Sequence, residues 1–173
     1  IGEAKLHKAL LHYEMLKRYG GITIMDDLFE GGNIELPRNT FEECVEYIVR
    51  LCEEAAGGLP LRYPDNDYGR LTKGAALGLK AKVLLYAASP LFNEAPIPGT
   101  NEIQRYNSPD NTRWDRAAKA ALDVINLKMP DGTPVYELFP SYERLFFTRE
   151  GNREFMMMKM QGMTNNVEVR NGP

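Results

Sequence analysis

The stretch Gly69 to Asn93, "GRLTKGAALGLKAKVLLYAASPLFN", constrains the fold more than any other part of this 173-residue chain. It predicts a helix over about 72–89, stopped by Pro90, whose ring nitrogen has no hydrogen to offer the preceding turn. With Lys73 as the reference direction and about 100° per residue, apolar side chains fall at nearly every angle; Lys80 returns close to Lys73, and only Lys82 lies opposite. A helix that is apolar all round either spans a membrane or is sandwiched between neighbours, and the three lysines interrupt the run of about eighteen apolar residues that a span requires. Ala75, Ala76, Gly78, Ala81, Ala87 and Ala88 lie on more than one side, so close approach from several directions is expected. The helix belongs inside a layered array of helices.

The rest of the chain supplies the neighbours. A first helix is predicted over about 3–19, with Leu6, Ala9, Leu10, Tyr13 and Leu16 at helical spacing, ended by Gly20 and Gly21 and followed by a short extended "ITIM". A second is predicted over about 40–56. Asn39 or Thr40 caps it, Glu42 and Glu43 suit the positive end of its dipole, and Phe41, Cys44, Val45, Ile48, Val49 and Cys52 form its buried face. A fourth is predicted over about 113–127, with Trp114, Ala117, Ala118, Ala121, Leu122 and Ile125 turned inward. "SYERLFF" suggests a short helix, "REFMMMKM" a strand over about 153–160, and "NEAPIPGTNEIQRYNSPDNT" a long surface excursion.

Trp114, Ala117, Ala118 and Ala121 repeat the spacing of Phe41, Cys44, Val45 and Ile48, a large aromatic followed by smaller apolar residues three, four and seven positions on. This is a degenerate form of the first helix of a tetratricopeptide repeat, in which the 72–89 helix takes the place of a second helix packed on both its partner and the next repeat.

Several chemistries are disfavoured. The formal charge of −3, from 21 basic and 24 acidic residues, leaves no basic footprint for nucleic acid. Cys44 and Cys52 sit about 12 Å apart along one helix, too far to bridge, and read as small buried side chains. His7 and His12 stand about 140° apart around theirs and cannot chelate together. Asp65 and Asp67 flank Asn66 in "PDNDYG", without the glycine and distal glutamate of a calcium loop, so neither metal nor cofactor is expected. The acidic pairs Glu42/Glu43 and Glu53/Glu54 sit on solvent-facing positions, not opposed across a substrate as a glycosidase requires. The chain opens directly on an amphipathic helix and is expected to be a piece of a longer protein.

What remains is binding. A pyranose offers an apolar face for an aromatic ring and hydroxyls for planar amides, carboxylates and guanidinium groups. Two loop clusters have that composition: Arg62, Tyr63, Asp65, Asn66 and Tyr68 in one, and Arg105, Tyr106, Asn107 and Asp110 in the other. The same composition also fits ordinary turns with tyrosines packed on the scaffold.

The 69–93 stretch resembles the central signature of the SusD/RagB-like family of outer-membrane nutrient-binding lipoproteins, with its Gly-Arg-x-Thr-Lys-Gly-Ala-Ala start and Ala-Ser-Pro-Leu-Phe-Asn close. "EAKLHKALLHYEMLKRYGGI", "PRNTFEECVEYIVRLCEEAAGGLP" and "WDRAAKAALDVINL" are similar to family helices in the family's order, although Lys5 and His7 replace its usual arginine and large apolar residue. The resemblance implies a mainly α, tetratricopeptide-like array with long loops. It also implies a surface-exposed location at the outer membrane, an oligosaccharide or polysaccharide ligand, a SusC-like TonB-dependent transporter as partner, and no reaction. A peptide-binding tetratricopeptide adaptor is the alternative.

Overall fold

The computed structural model describes residues 1–26, 31, 36–95, 97–149 and 151–158. Its helices are α1 (Gly2–Tyr19), α2 (Phe41–Gly58), α3 (Lys73–Ala88), α4 (Pro90–Asn93), α5 (Thr112–Ile125) and α6 (Tyr142–Leu145). The four long helices fall within two residues of the expected bounds at each end, and each packs on the next: α1 on α2, α2 on α3, α3 on α5. Such nearest-neighbour packing is that of a tetratricopeptide-like helical array. Among the described residues no helix is long and apolar enough to cross a membrane.

α3 is sandwiched as its composition requires. Of its sixteen residues only Lys82 and Leu85 are exposed, while α2 covers one side and α5 another. Leu79, Val83 and Leu84 are buried there, and each such side chain contributes about 1.5–3 kcal/mol by leaving water. α2 begins with a capping box. Glu43 N–H donates to Thr40 Oγ1 at 3.1 Å and Thr40 N–H to Glu43 Oε2 at 2.8 Å, satisfying two amides that the first turn leaves without intrahelical partners. Asn39 is therefore not the cap: its Oδ1 accepts from Ile24 N–H at 2.9 Å, and its own N–H donates to Ile22 O at 3.1 Å. The "ITIM" segment is held alongside residues 37–39 by these bonds without forming a strand.

One aromatic cluster ties most of the elements together. Phe41 of α2 stacks on Phe92 of α4 at 4.7 Å and meets the edge of Tyr106 at 5.2 Å; Tyr86 of α3 joins Phe92 to Tyr13 of α1. Asn93, buried, exchanges two hydrogen bonds with the backbone of Asp110 and accepts a third from Arg113 at 2.6 Å, which fixes the start of α5. The Ala-Ser-Pro-Leu-Phe-Asn close is thus a joint of the scaffold.

The excursion after α4 is anchored rather than free. Gly21 N–H donates to Ile103 O at 2.5 Å and Phe41 N–H to Glu102 O at 2.8 Å. Gly20, at φ 73°, lies in the left-handed region that glycine tolerates, and a Cβ there would collide with the Ile103 carbonyl. The Arg-Tyr-Gly-Gly corner is where the excursion docks.

Two expectations are corrected. α5 turns Ala117, Ala120 and Val124 toward α3, leaving Trp114, Leu122 and Ile125 exposed at 43%, 52% and 69%, with Ala118 and Ala121 exposed beside them. The cause is that, among the described residues, α3 is the only long helix on which α5 packs, so its apolar residues have one face to bury, not two. The strand expected over about 153–160 is absent from the described part, 153–158, because among the described residues one backbone–backbone hydrogen bond, Glu137 N–H to Arg153 O at 3.3 Å, joins it to the chain opposite, and the other links there run through side chains and make no ladder. Residues 159 and 160 lie outside the described residues.

Candidate functional site

The loop between α2 and α3 and the segment after α5 enclose a cleft of about 440 Å3. Each wall is pinned to the scaffold. On the loop side, Tyr63 O–H donates to Glu3 Oε1 of α1 at 3.2 Å, and Arg70 reaches both oxygens of that carboxylate, at 3.0 and 3.3 Å. The Arg70 guanidinium beside Glu3 holds its carboxyl below the usual range, despite some opposing desolvation. Arg70 also lies 4.4 Å over the Tyr63 ring and 3.5 Å from Asp67.

On the opposite side, the turn at 129–134 returns the chain so that Val135 N–H donates to Leu127 O at 2.9 Å, and Val135 is buried. Arg62 then donates from Nη2 to Val135 O at 2.8 Å, joining the two walls. Tyr136 lies over the first turn of α3: its hydroxyl is 2.9 Å from Oγ1 of Thr72, the α3 N-cap, and its ring occupies the space where a Cβ on residue 74 would stand. Only glycine fits beneath it. The Thr-Lys-Gly of the signature is therefore a seat for Tyr136. Burial pushes the Tyr136 phenol above its ordinary value.

Arg149, Arg153 and Phe155 complete this wall. Arg149 lies 4.3 Å over Tyr68, and Arg153 is paired with Glu137. Asn152 fixes the bend, donating to Leu145 O and Thr148 O while accepting from Glu154 N–H at 3.1 Å. A second concavity of about 580 Å3 adjoins it, sharing Arg153, with Leu138, Phe139 and Arg144 on its wall.

The cleft gathers part of one sequence cluster and none of the other. Arg62, Tyr63 and Tyr68 line it; Asn66 is exposed in the 3-10 turn Asp65–Asp67, and the Asp65 side chain lies outside what the structure describes. Arg105 and Tyr106 are 3% and 4% exposed and do not face it. Tyr106 is packed between Phe41 and the Arg113 guanidinium, 3.5 Å from its ring, and burial pushes its phenol up to about 12. Arg105 donates to Glu94 O at 2.6 Å, and exposed Asn107 donates to Glu102 at 3.3 Å. Sequence reading passed over Arg70, Tyr136, Arg149 and Arg153. The available signal was the arginine and aromatic density of "TREGNREF" facing that of "RYPDNDYGR".

No family model matches the chain, and no curated protein matches it. Solved structures do. A SusD-like protein from Bacteroides fragilis NCTC 9343 is 26% identical with a TM-score of 0.69, over 96% of this chain and 28% of that one. A structure solved with xylogluco-oligosaccharide is 27% identical with a TM-score of 0.64, over 91% of this chain and 28% of that one. A SusD homolog from Bacteroides thetaiotaomicron VPI-5482 is 25% identical with a TM-score of 0.61, over 84% of this chain and 24% of that one. The chain spans about a quarter of the length of these structures.

Proposed function

We propose that this chain, which belongs to the SusD/RagB-like family, is the helical-repeat part of a protein that binds oligosaccharide at the outer-membrane surface. It delivers the sugar to a TonB-dependent transporter of the SusC type. The observation that carries the glycan reading is the fold shared, over 91% of this chain, with a structure solved with xylogluco-oligosaccharide. The cleft supports it: a concave site with tyrosines, a phenylalanine and convergent guanidinium groups suits a polar ligand with apolar faces. The transporter and the membrane location rest on the family resemblance.

Binding proceeds without cleavage in this reading. Hydrolysis needs two carboxyl groups flanking the scissile bond, and the described lining of the cleft contributes one, Asp67, already engaged by Arg70. The test is isothermal titration and affinity electrophoresis of the full-length protein across a glycan panel, with chromatography of the incubated sugars. Retention of a glycan with no released product is expected. Released sugar would overturn the non-enzymatic reading, and tight binding of extended peptides with no glycan retained would favour the tetratricopeptide adaptor.

A further inference from the structure

The cleft is rich in guanidinium groups, which only donate, and holds one described carboxylate. Arg62, Arg70, Arg149 and Arg153 all line it, against a single described acid, Asp67. Glu3 and Glu137 hold Arg70 and Arg153, and Arg149 is engaged as well, so Arg62 is the guanidinium of the four that stands open to a ligand. Arg62 is exposed and, among the described residues, its one hydrogen bond goes to a backbone carbonyl, Val135 O; its Nε and Nη1 donors have no described protein acceptor. The tyrosines offer less than their number suggests. Arg70 covers a face of Tyr63 at 4.4 Å and Arg149 a face of Tyr68 at 4.3 Å, where a pyranose would otherwise stack.

A neutral sugar presents hydroxyls that both donate and accept, and the donating half of that capacity finds no use on a guanidinium group. A carboxylate or sulfate group only accepts, and matches the planar fork of a guanidinium with two parallel bonds. Resting on the glycan reading above, we infer that this cleft takes the anionic group of an acidic sugar, a uronate carboxylate or a sugar sulfate, with Arg62 as its principal contact.

The experiment titrates the full-length protein with oligogalacturonate, a sulfated galactan oligosaccharide and xylogluco-oligosaccharide of similar length. One of the two anionic probes should bind about tenfold or more tighter than the neutral one, and weaken as salt rises. Which of the two does so identifies the source of the anion. Arg62→Gln should remove that advantage, bringing the preferred anionic probe down to the affinity of the neutral one. Arg62→Lys, which keeps a charged donor for Val135 O but loses the planar fork, decides the matter if thermal melts show that Arg62→Gln has loosened that contact: it should lose most of the advantage with the fold intact. Neutral sugar bound as tightly as both anionic probes, or anionic binding indifferent to the folded arginine variants, overturns the acidic-sugar inference and spares the glycan reading. Failure of all three probes, with no other glycan of the panel retained, overturns both.

Discussion

α2 and α5 carry the same spacing of apolar residues and meet different fates. Phe41, Cys44, Val45 and Ile48 of α2 are all buried to within 1% of completeness, whereas of Trp114, Ala117, Ala118 and Ala121 on α5 only Ala117 is buried. The difference lies in the neighbours. α2 sits between α1 and α3, and among the described residues α5 packs on α3 alone of the long helices. Periodicity reports which side chains a helix can bury; the number of partners decides which of them it does bury.

The sharpest way to break this comparison is to truncate the leading aromatic of each helix. Phe41→Ala should cost about 3–5 kcal/mol in urea or thermal unfolding, since it empties the centre of the aromatic cluster, while Trp114→Ala should cost well under half of that. Equal losses would show that Trp114 is core after all. A smaller effect comes from α3, the helix both share. Gly74→Ala forces a methyl against the Tyr136 ring and should destabilise by about 1–3 kcal/mol, readable in the same melts; an unchanged midpoint would mean that Tyr136 does not sit on α3.

The helix starts offer a third contrast. Thr40→Ala removes a cap that holds Glu43 N–H and should cost about 1 kcal/mol, whereas Asn111→Ala at the start of α5, whose side chain makes no capping bond, should cost a few tenths at most. Smallest of all, Leu122→Ala on the outer face of α5 should shift stability by no more than about 0.5 kcal/mol; a loss of core size would place a further partner on that face.

The helices were legible because each announces itself by composition and punctuation: Thr40 with Glu43, Gly20-Gly21, Pro90, and the alanines of α3. The inward face of α5 was not, because nothing within residues 112–125 records that α3 is its only long-helix neighbour. The site divided along the same line. Arg62 and Tyr63 reach the cleft, while Arg105 and Tyr106, of similar composition, are drawn inward by the corner at Gly20 and by Phe41, residues far from them in the chain. Turn-like composition identifies a loop without saying what lies beneath it. Arg70 and Tyr136 were hidden for a related reason: Arg70 reads as the approach to a helix, and Tyr136 acquires its place only when Gly74 is brought under it.

That seating of Tyr136 bears on how the molecule opens. The Thr72–Tyr136 contact joins positions 64 residues apart, and Arg62–Val135 joins positions 73 apart, so both close a loop that contains α3 and α5 entire. Contacts of such span form late, after the helices they bracket have paired, because the entropy of closing the loop must first be reduced by the pairing within it. The first turn of α3 and residues 135–136 thus form one cooperative unit. In native-state hydrogen exchange their backbone amides should open together, and from a lower free energy than the amides at the centre of α2.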